Sequence, residues 1–474
     1  MLFNSLSYAV FLSIVFAVYW AIPNKYRWIL LLISSYYFYM SWNPKYVILI
    51  LITTAVSYAT ALLLERTDKE KARKGMLIGA LAICLGILFV FKYYNFFSQT
   101  LVDICRSISI PIHPVTLKVI LPVGISFYTF QTLSYVIDVY RGDVRACRNF
   151  GVYAAFISFF PQLVAGPIER TGNLLPQITS EKEFDYNEAA YGLKLMVWGF
   201  FKKLVIADAA SSYVDMAFGS IEACTGLDLF LAMVFFSFQI YCDFSGYSDI
   251  AIGSARLLGI RLMKNFNSPF LSTSVRELWT RWHISLSTWF RDYVYIPLGG
   301  SRCSKMRRDF NLLVTFILSG LWHGADWTYV VWGGLNGIGQ IIEGKLFGRR
   351  NREGLSKLFF WLYTAAVWYF SLIFFRADKL SDAVFYVKKL LVSLRYPSQF
   401  RQTALGFDKP ESFYCMFFML MLMLYDFASL KRDVIQWLSS KKKGIRWTVY
   451  LLMIWVILAF MPPVSTTEFV YFQF

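Results

Sequence analysis

Seven stretches of this chain, roughly residues 6–22, 27–42, 46–64, 75–93, 356–375, 411–429 and 446–462, are apolar over about the 20 residues a helix needs to cross a bilayer. No water-soluble core of one chain can absorb them all. Only 16% of residues are charged, against about 25% in soluble domains, and 57% are hydrophobic with a mean hydropathy of +0.49. The sequence therefore predicts an all-α, polytopic integral membrane protein of roughly ten or more helices in contact with the lipid bilayer, and excludes secreted, cytosolic and disordered chains.

The middle is less regular. Between 117 and 341 the apolar stretches 118–139, 150–168, 190–210, 227–260 and 311–341 are interrupted by Gly, Pro and single charges. Irregular backbone is tolerated at membrane depth only where it is buried in protein or lines a cavity, so a functional chamber is expected here.

Forty-seven Lys and Arg against 30 Asp and Glu give a net charge of +17. In a membrane protein such an excess belongs first to cytoplasmic loops, and nucleic acid need not be invoked. Clusters at Lys25/Arg27, 66–74, Arg141/Arg145/Arg148, 302–308, Arg349/Arg350/Arg352 and Lys441–Lys443 are expected inside, which puts the N-terminus outside by alternation. Met-Leu-Phe-Asn-Ser-Leu has no basic signal-peptide region and reads as the start of a retained first span. The loop from about 377 to 410 and the tail Glu468–Phe474 then fall on the outer face. There Phe469, Tyr471, Phe472 and Phe474 suit either docking of an extracytoplasmic partner or an aromatic belt at the interface. With no internal repeat and no linker, residues 1–474 read as a single domain.

Residues 311–341 have basic clusters on both sides, yet as one helix would be about 46 Å long. A broken or re-entrant hairpin reconciles the two, with Gly320, Gly324, Gly333, Gly334 and Gly337 as candidate turning points. Its central residues include His323.

Ionisable groups in such surroundings are functional candidates by default. The chain has three histidines. His113 lies in a polar Pro-Ile-His-Pro stretch and reads as a surface residue. His323, in Leu-Trp-His-Gly-Ala-Asp-Trp, has no aqueous face available, so it is either a catalytic base or an imidazole that only bonds neighbouring helices. His283 follows a capping-box start at Ser274 and Glu277, on a helix expected to carry Trp279, Trp282, Leu286 and Phe290 as one stripe. Arg276, Arg281 and Arg291 suit it to an interface or a wet cavity, with or without chemistry. Their charge also suits a phosphate-bearing donor. Asp243 and Asp249 interrupt an apolar run and need partners, an ion pair being the simpler role and direct chemistry the other. Asp326, at i+3 from His323, could orient that imidazole if the turn is helical.

Seven cysteines lie scattered, in no metal-ligand or disulfide spacing, so no metal site is expected. Nucleophile-elbow, phosphate-loop, dinucleotide and zinc-protease motifs are absent from the sequence.

The segments Arg-Trp-His-Ile-Ser-Leu-Ser-Thr-Trp-Phe-Arg-Asp-Tyr-Val-Tyr-Ile-Pro-Leu-Gly-Gly (281–300) and Gly-Leu-Trp-His-Gly-Ala-Asp-Trp (320–327) resemble the membrane-bound O-acyltransferase superfamily. Asp243-Phe-Ser-Gly-Tyr-Ser-Asp, Val164-Ala-Gly-Pro-Ile-Glu-Arg and the ending Phe469-Val-Tyr-Phe-Gln-Phe are similar to its bacterial alginate O-acetylating branch. The resemblance implies helices around a central tunnel in the bacterial cytoplasmic membrane, with His323 and His283 catalytic. Trp322, Trp282, Arg281, Asp243, Ser245, Tyr247, Asp249 and Asp326 become candidates for the substrate path. It also implies no bound cofactor. The donor would be acetyl-CoA or another acyl thioester on the cytoplasmic side, and the acceptor an extracytoplasmic acetyltransferase or polysaccharide. A D-alanyl or longer-acyl transferase is the alternative within the superfamily. A transporter is the alternative outside it, and would call for repeated halves.

Overall fold

The computed structural model of the protein describes residues 1–164, 166–348 and 353–461. The basic cluster Arg349, Arg350 and Arg352 and the tail Glu468–Phe474 lie outside the described residues. Among the described residues every regular element is helical. Six helices there are long and apolar enough to cross a membrane: Pro44–Arg66, Glu70–Ser107, Gly226–Leu257, Gly354–Arg376, Pro410–Ser429 and Lys443–Phe460. The helices Leu6–Ala21 and Asn24–Met40, also expected as spans, are shorter, at 16 and 17 residues.

The chain forms two compact units, the first of residues 1–193 and 251–263, the second of 194–250 and 264 onward. In the first, the helix Ile125–Arg141 packs against Val47–Arg66 and Glu70–Leu88, while Asn24–Met40 packs against Phe150–Ser158. Ile125–Arg141 is buried along most of its length, its polar residues Ser126, Thr129, Gln131, Thr132 and Ser134 included, and burial is matched by bonds such as Gln131 Nε2 donating to the Phe156 carbonyl at 2.9 Å. It starts later than the apolar run 118–139 suggested. Pro111, Pro114 and Pro122 deprive the preceding segment of helical N–H donors, and the helix begins only after Gly124, whose φ of 74° suits glycine. His113 is exposed in that irregular segment.

The second unit holds the expected hairpin. Helices Lys305–His323 and Trp327–Leu346 pack closely on each other. Of the five glycines proposed as turning points, only Gly324 turns the chain, leaving the helix with φ −155° and ψ 151°. Gly320 and Gly333 instead let the two helices touch. A Cβ on Gly320 would strike the Tyr329 carbonyl oxygen, and one on Gly333 that of Phe316, whereas Gly334 faces open space. Close backbone approach through small residues is the usual device of membrane helix pairs. Gly320→Ala is therefore expected to lower the thermal unfolding midpoint of the purified protein, costing about 1–3 kcal/mol through overpacking. Gly334→Ala should leave it unchanged or slightly raised.

The expected outer loop 377–410 is largely structured, with a helix at Leu380–Ser393 and a short 3₁₀ turn at Pro397–Phe400. Its apolar residues come in two short runs, 383–387 and 390–392, split by Lys388 and Lys389. Cys84, Cys224, Cys242 and Cys415 are buried in the protein, Cys105 and Cys147 are partly covered, and Cys303 is exposed.

Candidate active site

The segment after Ser274 does start a helix, with Ser274 Oγ accepting from the Glu277 N–H at 2.9 Å. Glu277 Oε2 accepts from the Thr273 N–H at 2.8 Å, one residue earlier than a standard capping box would reach. The single long helix expected through Phe290 is not formed. It ends at Arg281, Trp282 is extended, and His283 takes a left-handed conformation, φ 42° and ψ 54°, before a second helix at Ile284–Phe290. No Gly or Pro marks this break, and a left-handed non-glycine residue is unusual enough to suggest function. The turn aims the imidazole inward instead of along one apolar stripe.

His283 is completely buried. Its Nδ1 lies 3.1 Å from Asn265 Oδ1. The same oxygen accepts from Ser285 Oγ at 2.9 Å and from the Ser285 N–H at 3.3 Å, while Asn265 Nδ2 donates to Ser248 Oγ at 3.1 Å. The backbone closes the arrangement, since the Ile284 N–H donates to the Asn265 carbonyl at 2.9 Å. The Phe244 ring meets the imidazole edge-on at 4.5 Å. His283 lies outside every candidate span, and burial pushes its imidazole pKa down to about 3. The ring is thus neutral at ordinary pH.

His323 is the last residue of its helix and is also buried, 3% exposed. Trp332 meets its ring edge-on at 4.9 Å and Phe375 at 5.4 Å. The two imidazole centroids are 6.4 Å apart, and the Trp322 ring lies 5.0 Å from His323 and 5.8 Å from His283. Two groups separated by 40 residues thus share one aromatic-walled site. A pocket of about 320 Å³ in the first unit, between Trp20, Lys182, Glu188, Arg256 and Arg261, contains neither histidine.

The remaining candidates divide by position. Trp282 packs at 4.6 Å from Trp368 and 5.1 Å from Phe266. Arg281 is engaged by Glu277 at 2.8 Å and by the Asn267 carbonyl, so it braces the broken helix. Arg276 is exposed, and Arg291, also exposed, pairs with its neighbour Asp292. Asp326 does not stand on a helical turn with His323. Gly324 breaks the helix between them, and Asp326 caps the next one, Oδ1 accepting from the Thr328 N–H at 2.8 Å.

Asp243 and Asp249 meet lysines that the sequence reading passed over. Lys203 Nζ lies 2.6 Å from Asp243 and 2.8 Å from Asp208, and Lys202 Nζ lies 2.8 Å from Asp249 and 2.9 Å from Ser245 Oγ. Tyr247 is buried with the Lys203 ammonium 5.6 Å from its ring. Both lysines sit on a π-helical segment, Phe201–Ala207, a local widening frequent at functional sites. Two adjacent lysines in one apolar run and two aspartates in another were the available signal. Asn265, Ser248 and Ser285 gave none, being ordinary polar residues until folding converges them.

The sequence model of the membrane-bound O-acyltransferase family matches residues 148–381, which include both histidines. The chain is 40% identical to the probable alginate O-acetylase AlgI of Pseudomonas aeruginosa over 375 residues, covering 79% of this chain and 71% of that protein. It is 34% identical to the peptidoglycan O-acetyltransferase of Helicobacter pylori, covering 76% and 73%. It is 30% identical to the teichoic acid D-alanyltransferase of Bacillus subtilis, covering 56% and 67%. With paired buried histidines in a helical membrane protein, and relatives of this identity across most of its length, the chain belongs to the membrane-bound O-acyltransferase family and is an O-acyltransferase of the membrane.

Proposed function

We propose that the chain, working as one domain in the bacterial cytoplasmic membrane with its N-terminus outside, takes an acetyl group from a cytoplasmic thioester, acetyl-CoA, and delivers it for O-acetylation of an extracytoplasmic polysaccharide. The acceptor is the glycan or a partner acetyltransferase that serves it. The observation that carries this reading is the pair of buried imidazoles 6.4 Å apart. The names of the relatives that act on alginate and peptidoglycan support the acetyl group and the glycan.

In this reading a histidine nitrogen accepts the proton of the acceptor hydroxyl as its oxygen attacks the thioester carbonyl carbon. The C–S bond then breaks, and the thiolate leaves as a thiol after taking up a proton. His323 is the base we assign. It stands at the C-terminal end of its helix, where backbone carbonyls favour a positive charge during the transfer. Aromatic walls exclude water, which would otherwise compete for the thioester. His283 is assigned to the same site as the group that positions the donor, and the exposed Arg276 and Arg291 offer charge for its phosphates. Asp243, Asp249 and Ser245 hold the lysine cluster in this scheme, and no metal or bound cofactor takes part.

The full-length purified protein in bilayers, given radiolabelled acetyl-CoA with an acceptor polysaccharide and its extracytoplasmic partner, is expected to release free thiol in step with acetyl ester formation. Turnover only with an aminoacylated or longer-acylated carrier protein would replace this reading with the D-alanyl or longer-acyl alternative. Uncoupled movement of solute with no ester formed would favour a transporter.

A further inference from the structure

We propose that Asn265 is a positioning residue that fixes the tautomer of His283, leaving its Nε2 lone pair bare and turned to the reacting groups. The proposal rests on the acyl-transfer reading of the two-histidine site and deepens it.

An amide oxygen can only accept hydrogen bonds, whereas an amide nitrogen only donates. The atom of Asn265 nearest His283 also receives the Ser285 N–H and Oγ–H, while the other end of the amide stands 3.1 Å from Ser248 Oγ. The Ser285 N–H can only donate, which fixes the atom it meets as the oxygen. His283 Nδ1 lies 3.1 Å from that oxygen and 3.4 Å from Ser285 Oγ. With the Ser285 hydroxyl donating to Asn265 Oδ1, an Nδ1 that carries the ring's proton is the form that meets the oxygen without setting lone pair against lone pair. A neutral imidazole carries only one, so Nε2 is left as an acceptor.

Nε2 makes no hydrogen bond among the described residues, although the side chain is entirely buried. A buried polar atom without a partner costs about 1–3 kcal/mol, and such atoms are expected to meet a group absent from the free protein. Trp322 and His323 flank the ring at 5.8 and 6.4 Å between centroids, and the Phe244 edge meets it at 4.5 Å. The left-handed backbone at His283 brings Nδ1 within reach of Asn265, and the Ile284 N–H to Asn265 carbonyl bond pins the two segments together. A bare Nε2 can accept a hydrogen bond from an N–H of the thioester donor that His283 positions, whereas a protonated Nε2 could not. Asn265 thus acts on the reaction only through the imidazole it holds.

The test is ¹⁵N-histidine solid-state NMR of the full-length protein in bilayers, with His283 assigned by difference against His283→Gln. The expected spectrum shows a protonated Nδ1 and a bare Nε2. In Asn265→Leu this signature should be lost, and kcat/KM for the thioester should fall about tenfold to a thousandfold, less than the about 10⁴-fold known for a mis-set histidine in a serine protease triad. Asn265→Asp, which still accepts from Nδ1 and from Ser285, should keep the signature and recover much of the activity. A protonated Nε2 in the native protein overturns the proposal without any Asn265 variant having to fold. So does wild-type kcat/KM for the thioester in a folded Asn265→Leu. His283→Gln separates the two levels of inference. If it is fully active, the two-histidine reading fails. If it is inactive while Asn265→Leu is normal, only the role of Asn265 fails.

Discussion

His323→Ala is expected to insert and fold, and to transfer acyl groups about 10² to 10⁴ times more slowly than the native protein. The range is that of a lost general base whose surroundings stay intact. The imidazole is enclosed by Trp322, Trp332 and Phe375, large rings that belong to different elements and remain packed by their other neighbours. Truncation leaves a small cavity near the end of the helix, costing about 1–3 kcal/mol, which a domain of this size tolerates. The measurement is single-turnover transfer from a labelled thioester, with the unfolding midpoint as the control for structure. Native-level transfer by a folded His323→Ala protein would refute the assignment.

Lys203→Met is expected to be the most damaging single substitution to stability. The Lys203 ammonium serves Asp243 at 2.6 Å and Asp208 at 2.8 Å, with the lysine side chain 2% exposed and that of Asp243 1% exposed. Removing one member of a buried pair leaves charge without compensation and costs about 3–5 kcal/mol. Here two carboxylates lose the same cation. Asp243→Asn should cost less, because Lys203 keeps Asp208. Both effects are readable as the midpoint of thermal unfolding in detergent or as the yield of folded protein, and an unaltered midpoint for Lys203→Met would mean that the cluster does not hold this region together. Because Phe244 follows Asp243 and meets His283 edge-on, a partly unfolded variant should also lose activity.

The apolar runs near 46–64, 356–375 and 411–429 needed only length and hydropathy to be found, and the helices there match to within a few residues, whereas the run at 75–93 belongs to a longer helical stretch, Glu70–Ser107. The hairpin around His323 was legible from basic clusters flanking a run too long for one crossing. Which glycine turns and which ones allow packing was not, because that depends on the partner helix. Lys202 and Lys203 were readable in principle, as the complement of Asp243 and Asp249. The break at Trp282–His283 carries no breaker residue and is imposed by contacts to Asn265, 18 residues away. Hydrophobic periodicity through Trp279, Trp282, Leu286 and Phe290 pointed to one helix, and tertiary bonding overrode it. Asn265, Ser248 and Ser285 matter only through mutual position, to which a linear reading is blind.

The left-handed backbone at His283 bears on how this position would drift over generations. An L-residue with a Cβ is disfavoured there by roughly 1–2 kcal/mol, whereas glycine occupies the conformation without strain. Backbone strain alone would push the codon toward glycine or asparagine, while the packing of the imidazole on Phe244 and its contact with Asn265 oppose that pressure. Glycine there would relieve the backbone but leave a space the size of an imidazole among Phe244, Trp322 and His323, so drift at this position trades backbone strain against a cavity.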